Sequence, residues 1–529
     1  MKREQYFILL LLILSSVSSF SQEAYSLYQN DMFRYYDRYV YNSDYRFHTS
    51  VKPFINRQVD SIVSLDTLYY IPVNTLAADI LFNRSLIKYS KKDFSFTIDP
   101  FINFEMGQDP DKNDNSWIST RGFLINGSLG KKFSFSTLFS ENQSDFQDYR
   151  RNIVDSLGRV IPGQGIARGY KETGFDYAFS EAYFSYAAGK HFMFQLGHGR
   201  NFIGDGYRSL LLSDNPFLYP YFKITADVWN IKYMIIWMQF QDLINKHPYG
   251  TPHDKKWGAF HYLDWSVTKW LNIGFFEAIV WQNADSTGYR GFDINYANPV
   301  IFFHPINFSM GSPDNVLLGF NGKLTLFKKQ VFYGQLIIDE FRLSEIKKFK
   351  DGWWGNKFAF QMGYKTYDIF KIKHLDIQTE FNYVRPYMYS HQSSLTNYGH
   401  FNAPLGHPQG ANFWESVSFL RYNYKRLFFE ARYSFTMHGS DTAGLNYGNN
   451  IFLPYDTFAK EYGNYMGQAI PVDLQYFTLK LSFLVNPRYN LNVYLNYTNR
   501  KETSDKVNRN QNLITFGIRT SLHNFYYDY

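Results

Sequence analysis

The sequence contains no cysteine among its 529 residues. A chain without thiols forms no disulfide framework and no metal site built on thiolates. It also lacks the acceptor cysteine to which the lipid of a bacterial lipoprotein is attached. These absences exclude a disulfide-stabilised domain, a thiolate-zinc protein and a lipoprotein.

Long apolar runs are missing beyond the amino terminus. The run Tyr6–Leu14 follows Lys2 and Arg3 and precedes small residues that end at Ser21. This order is typical of a secretory signal peptide, and the run is shorter than the roughly 20 residues of a membrane-spanning helix. We therefore predict a signal peptide over residues 1–21, export of the chain and no helical membrane anchor.

The chain also lacks a basic run, a linker and a low-complexity tract. Its net charge of +7 comes from 54 basic and 47 acidic residues that are scattered along the sequence. Without clustered cations and stacked aromatics, nucleic-acid binding is not indicated. Because composition stays uniform after the first ninety residues, we expect one large closed unit after residue 92.

The pattern that is present is an alternation of apolar and polar residues. In the last long example, Leu491, Val493 and Leu495 share one face, while Asn492 and Asn496 share the other. An apolar face suits lipid and a polar face suits a water-filled interior, as in a membrane β-barrel. A mean hydropathy of -0.37 agrees, because each strand shows only one face to lipid. The same period recurs at 94–99, 375–383, 477–483 and 514–522.

Connections between these segments alternate between short and long. Eight short turns and nine long loops separate 18 strands, which predicts an all-β fold: an antiparallel outer-membrane β-barrel over residues 93–529 with both chain ends in the periplasm. A soluble β-sandwich shows the same residue period but not the short-long alternation. The short turns are expected at 130–132, 187–190, 230, 269–270, 328–330, 368–373, 425–426 and 486–488. The long loops are expected at 107–119, 142–175, 200–220, 243–257, 282–314, 343–355, 386–411, 439–472 and 500–511.

Residues 22–92 lack the alternation. Apolar and aromatic residues from Tyr25 to Tyr39 recur at spacings of three and four, which predicts an amphipathic helix. A weaker helical pattern runs through Leu76, Ile80 and Ile87. We expect this segment to form a small, partly helical periplasmic cap or plug.

The densest motif is GHGRNFIGDGYRSLLLSDNP, residues 197–216. Its glycines do not indicate a phosphate-binding loop, because no Lys-Ser or Lys-Thr pair and no helix pattern follows. One interpretation is an ordered loop that folds over or into the barrel mouth, where Asp205, Arg208 and Asp214 pair among themselves or with inward barrel charges. The other is that these side chains, with Tyr207 and Asn215, bind sugar hydroxyls or uronic carboxylates. Both interpretations can hold together.

Two stretches bear on metals. The segment Asp109–Trp117 alternates oxygen ligands but departs from the calcium loop of an EF-hand, with Asp114 at the position of the required glycine. His391, His400 and His407 share one loop without a recognised ligand spacing, so hydrogen bonds that order the loop are favoured over zinc. We predict no metal and no cofactor.

Catalysis has little support in the sequence. Ser209, His400 and Asp214 supply the residue types of a serine hydrolase without the strained turn that presents its nucleophile. Aromatic residues favour sugar binding instead: Trp353 and Trp354, with Tyr398 in a neighbouring loop, offer flat faces to pyranose rings, although an interfacial aromatic girdle would use the same residues. The predicted glycan contacts are Asp205, Tyr207, Arg208, Asp214, Asn215, Trp353, Trp354, Tyr398, His400 and His407.

Several motifs together resemble a known family. They are RGFLINGSLGKKFSF, FSENQSDF, IPGQG, GHGRNFIGDGYRSLLLSDN, NYANPVIFFHPINFSMGSPDNVLLG, GWWGNKFAFQMG and LTNYGHFNAPLGHPQGANFWE, in this order. They resemble the Wzi-like capsule-assembly outer-membrane proteins, in the branch that contains the gliding-motility protein RemB. The resemblance implies an 18-stranded barrel with a small periplasmic element, a lectin that anchors capsular polysaccharide or a part in gliding, and no catalysis. No known sugar contact of the family maps onto a position of this chain.

The sequence thus predicts a non-enzymatic outer-membrane barrel that binds or organises cell-surface polysaccharide in capsule assembly, adhesion or gliding motility. Aromatic stacking and hydrogen bonds from Arg, Asp and Asn would carry the binding. The expected partners are surface or capsular polysaccharide, outer-membrane lipid and a motility or secretion complex. A pore or transporter is the alternative, since barrels of 16 to 18 strands can conduct, and an outer-membrane hydrolase is a third class.

Overall fold

The computed structural model describes residues 30–529 except 65–67, 113, 246–250, 286–287, 300–301, 341–350 and 443. The predicted signal peptide at residues 1–21 lies outside the described residues.

Eighteen antiparallel strands form one closed barrel, in which each strand pairs with its neighbours in sequence. The last strand closes the circuit by pairing with the first, at Ile514 opposite Gln108 through Arg519 opposite Asn103. The predicted 18-stranded fold is therefore confirmed. The strands are β1 Phe94–Asp109, β2 Asp114–Leu129, β3 Phe133–Asp145, β4 Gly174–Ala188, β5 Phe192–Gly199, β6 Tyr219–Val228, β7 Ile231–Asp242, β8 Asp254–Ser266, β9 Leu271–Gln282, β10 Asn315–Leu326, β11 Gln330–Glu340, β12 Lys357–Thr366, β13 Leu375–Val384, β14 Phe413–Tyr424, β15 Leu427–Ser440, β16 Ile470–Asn486, β17 Leu491–Ser504 and β18 Asn508–Thr520.

The alternation of the sequence sets which side chains face outward. Met106 on β1 and its partner Phe516 on β18 are 75% and 59% exposed, whereas Thr515, which precedes Phe516 in β18, is buried. Apolar side chains on the outer face suit lipid, and polar side chains inside can hydrogen-bond with one another. Leu522 departs from the expected outward face, because β18 ends at Thr520 and Leu522 packs in an interior cluster with Phe101.

The two ends of the barrel differ in the length of their connections. All eight predicted short turns are present at one end, here called the turn end. The nine other connections lie at the opposite, loop end. Two loops expected to be long, at 107–119 and 500–511, are instead tight hairpins, in which Asp109 pairs with Asp114 and Thr503 pairs with Asn508. The reason is that β1, β2, β17 and β18 continue as paired strands through residues that are polar on both faces.

The segment before the barrel is partly helical. It contains α1 Asn30–Val40, α2 Asn56–Asp60 and α3 Leu76–Phe82, so the helix expected through Tyr39 and the one expected through Leu76 are present in the described residues. Ile87 belongs instead to a short strand, Ile87–Lys91, that pairs with β1. The periplasmic position of this segment and its boundary at residue 92 stay predictions.

The longer loops carry small elements of their own. None of the helices among the described residues is long and apolar enough to cross a membrane. The loop helices are α4 Asp148–Ser156 and α5 Phe303–Met310, and the loops also hold 3-10 turns at Ile294–Ala297, Ser394–Thr396 and Tyr455–Thr457. A further 3-10 turn, Ile369–Lys371, lies at the turn end. The short paired strands are Val51–Lys52 with Phe202–Ile203, Val160–Ile161 with Gly165–Ile166, Arg168–Tyr170 with β4, Ala284–Asp285 with Gly288–Tyr289, and Gly399–His400 with Ala403–Pro404.

The largest apolar core lies inside the barrel. Leu210, Leu211 and Leu212, from the connection between β5 and β6, pack there against inward side chains such as Met234 and Phe260, and all five are fully or almost fully buried. Burying this much apolar surface stabilises the inserted connection, at roughly 25 cal/mol per Å². The connection 200–218 is therefore part of the barrel interior.

Candidate functional site in the barrel interior and at the loop end

Asp205 joins the amino-terminal segment to the interior. Its carboxylate accepts hydrogen bonds from Tyr41 Oη at 3.0 Å and Thr49 Oγ1 at 2.5 Å, and from the wall residue Asn321 at 3.3 Å. Lys52 extends the contact by donating to the Gly204 carbonyl at 3.0 Å, and burial lowers the pKa of its amine to about 8. Residues 41–52 and the connection 200–218 thus fill the interior together.

Arg208 lies at the centre of a second network. Its guanidinium contacts Glu415 of β14 and Asp528 near the end of the chain, and the Tyr207 and Arg208 amides donate to Glu380 of β13 at 2.8 and 3.1 Å. Arg208, Glu415 and Asp528 have side chains that are at most 1% exposed. A buried charge is costly unless it is paired and hydrogen-bonded, and here Arg208, Glu415 and Asp528 each have an opposite partner, while Glu380 is hydrogen-bonded.

The residues after β18 fold back into the barrel. Asp214 accepts hydrogen bonds from Asn524 at 2.6 Å and Tyr526 at 2.8 Å, and His523 contacts the inward carboxylate of Glu181 on β4 at 2.6 Å. Burial raises the pKa of the Asp214 carboxyl, while the two donors lower it. Residues 521–529, here called the tail, therefore form a third inserted segment.

A cavity of about 210 Å³ remains between the tail and the wall strands. It is smaller than the roughly 300 to 1,000 Å³ of typical small-molecule pockets. Its size suits water or one small polar group and is too small for a polysaccharide chain. The charged residues that line it are Glu105, Arg150, Glu430, Arg432, Lys480 and Arg519, and the aromatic ones include Tyr177, Tyr207, Tyr476, Tyr494 and Tyr527.

The three loop histidines contact three different polar groups. His391 Nδ1 is 2.8 Å from Thr396 Oγ1, His400 Nδ1 accepts from the Gln241 amide at 2.9 Å, and His407 Nε2 is 2.8 Å from Glu415. Burial lowers the pKa of His391 and of His400 to about 3. No group of metal-binding side chains occurs in the part of the chain that the structure describes. The histidines order the loop in this conformation.

The predicted aromatic contacts differ in their exposure. Tyr398 is fully buried, stacks on Tyr389 with ring centroids 5.6 Å apart and donates its hydroxyl to the Leu211 carbonyl. Trp353 is 9% exposed, whereas Trp354 is half-buried at the loop end. Only Trp354 of the ten predicted glycan contacts keeps a partly exposed ring.

The other nine predicted contacts are buried. Eight of them bond to or stack on other protein groups, whereas the side-chain amide of Asn215 has no hydrogen-bond partner among the described residues. The connection 200–218 does fold into the barrel and bonds to inward charges, although Asp205, Arg208 and Asp214 do not pair with one another. The assignment of the ten residues to sugar binding stays a prediction.

Sequence reasoning missed the tail and the cavity. The signal was available after the last strand, where HNFYYDY supplies a histidine, a carboxylate and four aromatic rings beyond the residues that β18 needs. Their partners, such as Arg208 and Glu181, lie more than 300 residues away, so no local pattern pointed to them.

The comparison with solved structures gives an alignment along nearly the whole chain. Wzi from Escherichia coli, an outer membrane protein involved in group 1 capsule assembly and a carbohydrate-binding β-barrel, matches with a TM-score of 0.54 and 14% identity, over 94% of this chain and 99% of Wzi. The chain has the Wzi fold. The predicted Wzi-like outer-membrane barrel is therefore confirmed as a fold.

Other outer-membrane barrels align less closely than Wzi does. OpdK of Pseudomonas aeruginosa with vanillate gives a TM-score of 0.44 at 10% identity, over 80% of this chain and 97% of OpdK. OccAB2 of Acinetobacter baumannii gives 0.42 at 9% identity, over 80% and 96%. No family model matches the chain, and no curated protein sequence matches it.

Proposed function

We propose that this chain is a non-enzymatic outer-membrane barrel that binds or organises cell-surface polysaccharide at its loop end. The Wzi fold supports the general class, because Wzi is a carbohydrate-binding barrel. The observation that carries the proposal is an ordered aromatic surface formed by Trp354 and the connection between β15 and β16, residues 441–469.

The aromatic surface is held in place by packing. Trp354 stacks on Phe458 at 5.0 Å and lies 4.9 Å from Tyr455, measured between ring centroids. The Trp354 amide also donates to the Glu461 carbonyl at 3.0 Å, which ties the two loops together. Exposed Tyr462 and Tyr465, at 45% and 62%, follow in the same connection. A fixed aromatic surface loses little side-chain entropy on binding.

The chemistry of this surface suits sugars. Aromatic rings provide flat apolar area, and tyrosine hydroxyls add hydrogen bonds at the edge. Asp351, Lys460 and Glu461 are exposed beside the rings and can hydrogen-bond to sugar hydroxyls. We assign the glycan contacts to Trp354, Tyr462 and Tyr465, because the residues predicted in the interior are buried.

The filled interior argues for a surface role over transport. Residues 41–52, the connection 200–218 and the tail occupy the space that a conducting barrel leaves open. Within this proposal, the barrel lies in the outer membrane, and the start of β1 and the end of β18 are on the periplasmic side. The protein acts in capsule attachment, adhesion or gliding, together with a motility or secretion complex. Membership of the branch that contains RemB is part of the same proposal.

Binding to surface polysaccharide tests the proposal. The detergent-purified barrel is titrated with polysaccharide extracted from the surface of cells that express this protein. It is also screened on a glycan array. We expect saturable binding that weakens about tenfold, or about 1.4 kcal/mol, in the double variant Tyr462→Ala, Tyr465→Ala. Tyr289→Ala is the matched control, since Tyr289 is 79% exposed in another loop. Absence of binding to every glycan, or equal binding by the double variant and the control, would overturn the proposal.

A further inference from the structure

The connection between β9 and β10 lies against the outer wall of the barrel. The described residues of this connection, 283–285, 288–299 and 302–314, are here called the flap. Ala259 of β8 and Ile279 and Trp281 of β9 alternate along their strands with inward-facing residues, so they belong to the outward face of the wall. All three are nevertheless 0% exposed. They pack instead under Tyr296 and Phe303 of the flap. The flap therefore replaces lipid on this part of the wall.

Three outward tryptophans attach the flap to the wall. Trp237 donates its indole N–H to the Tyr296 carbonyl at 2.9 Å, and Trp281 donates to the Gly291 carbonyl at 3.1 Å. Trp257 donates to Asn283 Oδ1 at 2.9 Å. Since each wall strand from β7 to β9 supplies one such donor, the flap is docked in a defined position.

Two polar residues stand on the covered wall. His261 and Glu277 are directly opposed across β8 and β9, face outward and are 0% exposed. The Phe303 ring lies 4.1 Å from the His261 ring, and the Phe302 amide donates to the Glu277 carboxylate. The sequence predicted an apolar outer face throughout, and this pair is an exception because the flap shields it. A charged group open to lipid at this position would be costly.

The covered pair lies at mid-height of the wall. Glu277 is the seventh residue of β9 counted from the turn end. Six residues of a tilted strand rise about 14 Å, at 3.3 Å per residue and about 45°, which is close to half of a bilayer core about 30 Å thick. The flap that covers it therefore lies at the depth of the hydrocarbon.

The outer surface of the flap is suited to that depth. Ile294 and Phe302 are 75% and 65% exposed, and the neighbouring wall residue Phe320 is 45% exposed. Ser309 satisfies its hydroxyl within α5 by donating to the Ile306 carbonyl at 2.8 Å. Apolar exposure thus continues from the barrel wall onto the flap.

We propose that the flap is embedded in the membrane and that its outer face contacts the acyl chains of surrounding lipid. Glu277, here called the clip, anchors the flap to the wall, because its carboxylate accepts a hydrogen bond from the Phe302 amide. This surface is separate from the proposed glycan surface, so the two proposals can fail independently.

Spin labelling measures the surroundings of the flap directly. The chain has no cysteine, so Ile294→Cys and Phe302→Cys give singly labelled barrels, which are reconstituted in phospholipid vesicles. We expect collision rates with oxygen to be high and those with a water-soluble nickel complex low, as for the wall control Phe320→Cys. Tyr465→Cys, 62% exposed at the loop end, supplies the aqueous reference. Flap labels that behave like Tyr465→Cys, or that show spin–spin broadening from a second copy, would overturn the proposal.

A second variant tests the clip. Glu277→Leu places an apolar residue on the outward face of the wall beneath the flap, so we expect the barrel to fold, which its heat-modifiable migration on gels would verify. We expect the label at Phe302→Cys to gain mobility in Glu277→Leu, whereas Glu277→Gln keeps an acceptor for the Phe302 amide and stays close to the parent. Equal mobility in both variants would overturn the role given to Glu277.

Discussion

Arg208 and Glu415 form a two-point ion pair inside the barrel, with Nη2 to Oε1 at 2.7 Å and Nε to Oε2 at 3.2 Å. Arg208 comes from the inserted connection and Glu415 from the wall. His407 of a loop contacts the same carboxylate at 2.8 Å, and Asp528 of the tail lies 3.1 Å from the guanidinium. One charge network therefore joins four parts of the chain that are distant in sequence.

Replacing Arg208 tests how much this network contributes. Arg208→Ala leaves Glu415 and Asp528 buried without their cation, so we expect the free energy of unfolding to fall by about 3–5 kcal/mol. Arg208→Lys keeps the charge but loses the planar guanidinium fork, so its free energy of unfolding should lie between those of the parent and Arg208→Ala. Guanidinium titration in lipid vesicles, followed by tryptophan fluorescence, measures the loss. Arg509→Ala, at an exposed site, is the control, and an equal loss in both variants would contradict the network.

The tail gives a second prediction. Tyr526→Phe removes the hydroxyl that donates to Asp214 at 2.8 Å, a bond to a charged acceptor worth about 1.5–3 kcal/mol. We expect faster hydrogen exchange and faster carboxypeptidase digestion of residues 521–529, with the barrel unchanged. Tyr433→Phe, 45% exposed on the outer wall, controls for loss of a tyrosine hydroxyl. A tail equally protected in both variants would show that this bond does not hold it.

The barrel wall could be predicted from the sequence because lipid outside and a polar interior impose the alternation of apolar and polar residues along each strand. Leu495 and Phe516 face outward, at 51% and 59% exposed, as their alternation with polar residues requires. The turn end could also be predicted, because a connection of two residues such as Lys425 and Arg426 can join its two strands only as a hairpin. Where polar residues occupied both faces, at 107–119 and 500–511, the pattern was lost and strands were mistaken for loops.

The interior and the flap could not be predicted in this way. Thr49 bonds to Asp205, 156 positions later, and Arg208 bonds to Asp528, 320 positions later. Such contacts depend on which segments enter the barrel, and local periodicity carries no information about that choice. The flap had one local signal, the apolar run VIFF after Pro299 in a connection otherwise expected to face water.

Conductance offers a third prediction. Because three segments fill the interior, we expect the parent protein to show no stable channels in planar bilayers. Asp205→Ala removes the acceptor shared by Tyr41, Thr49 and Asn321, so the amino-terminal segment should loosen and brief openings should appear. Asp505→Ala, in an exposed hairpin, is the control. Stable channels in the parent protein would contradict a closed interior and favour the pore alternative.

Acid sensitivity of the connection 385–412 is the fourth prediction. Burial lowers the pKa of His391 and His400 to about 3, whereas an unfolded histidine has a pKa of about 6.5. Between these values the opened connection binds more protons than the packed one, so packing is fully favoured above about pH 6.5 and weakens as the pH falls toward 3. Each histidine contributes at most about 1.4 kcal/mol per pH unit.

Hydrogen exchange of residues 385–412 at several pH values, corrected for intrinsic rates, measures this effect. Protection should decline from pH 7 to pH 4 because protonated His400 can no longer accept from the Gln241 amide, a bond of 2.9 Å. The double variant His391→Gln, His400→Gln removes two of the three buried histidines of the connection while keeping polar side chains, so its protection should depend less on pH, with His407 left in place. If the parent and the double variant lost protection in parallel, or if neither lost any, the two histidines would not be the source of acid sensitivity.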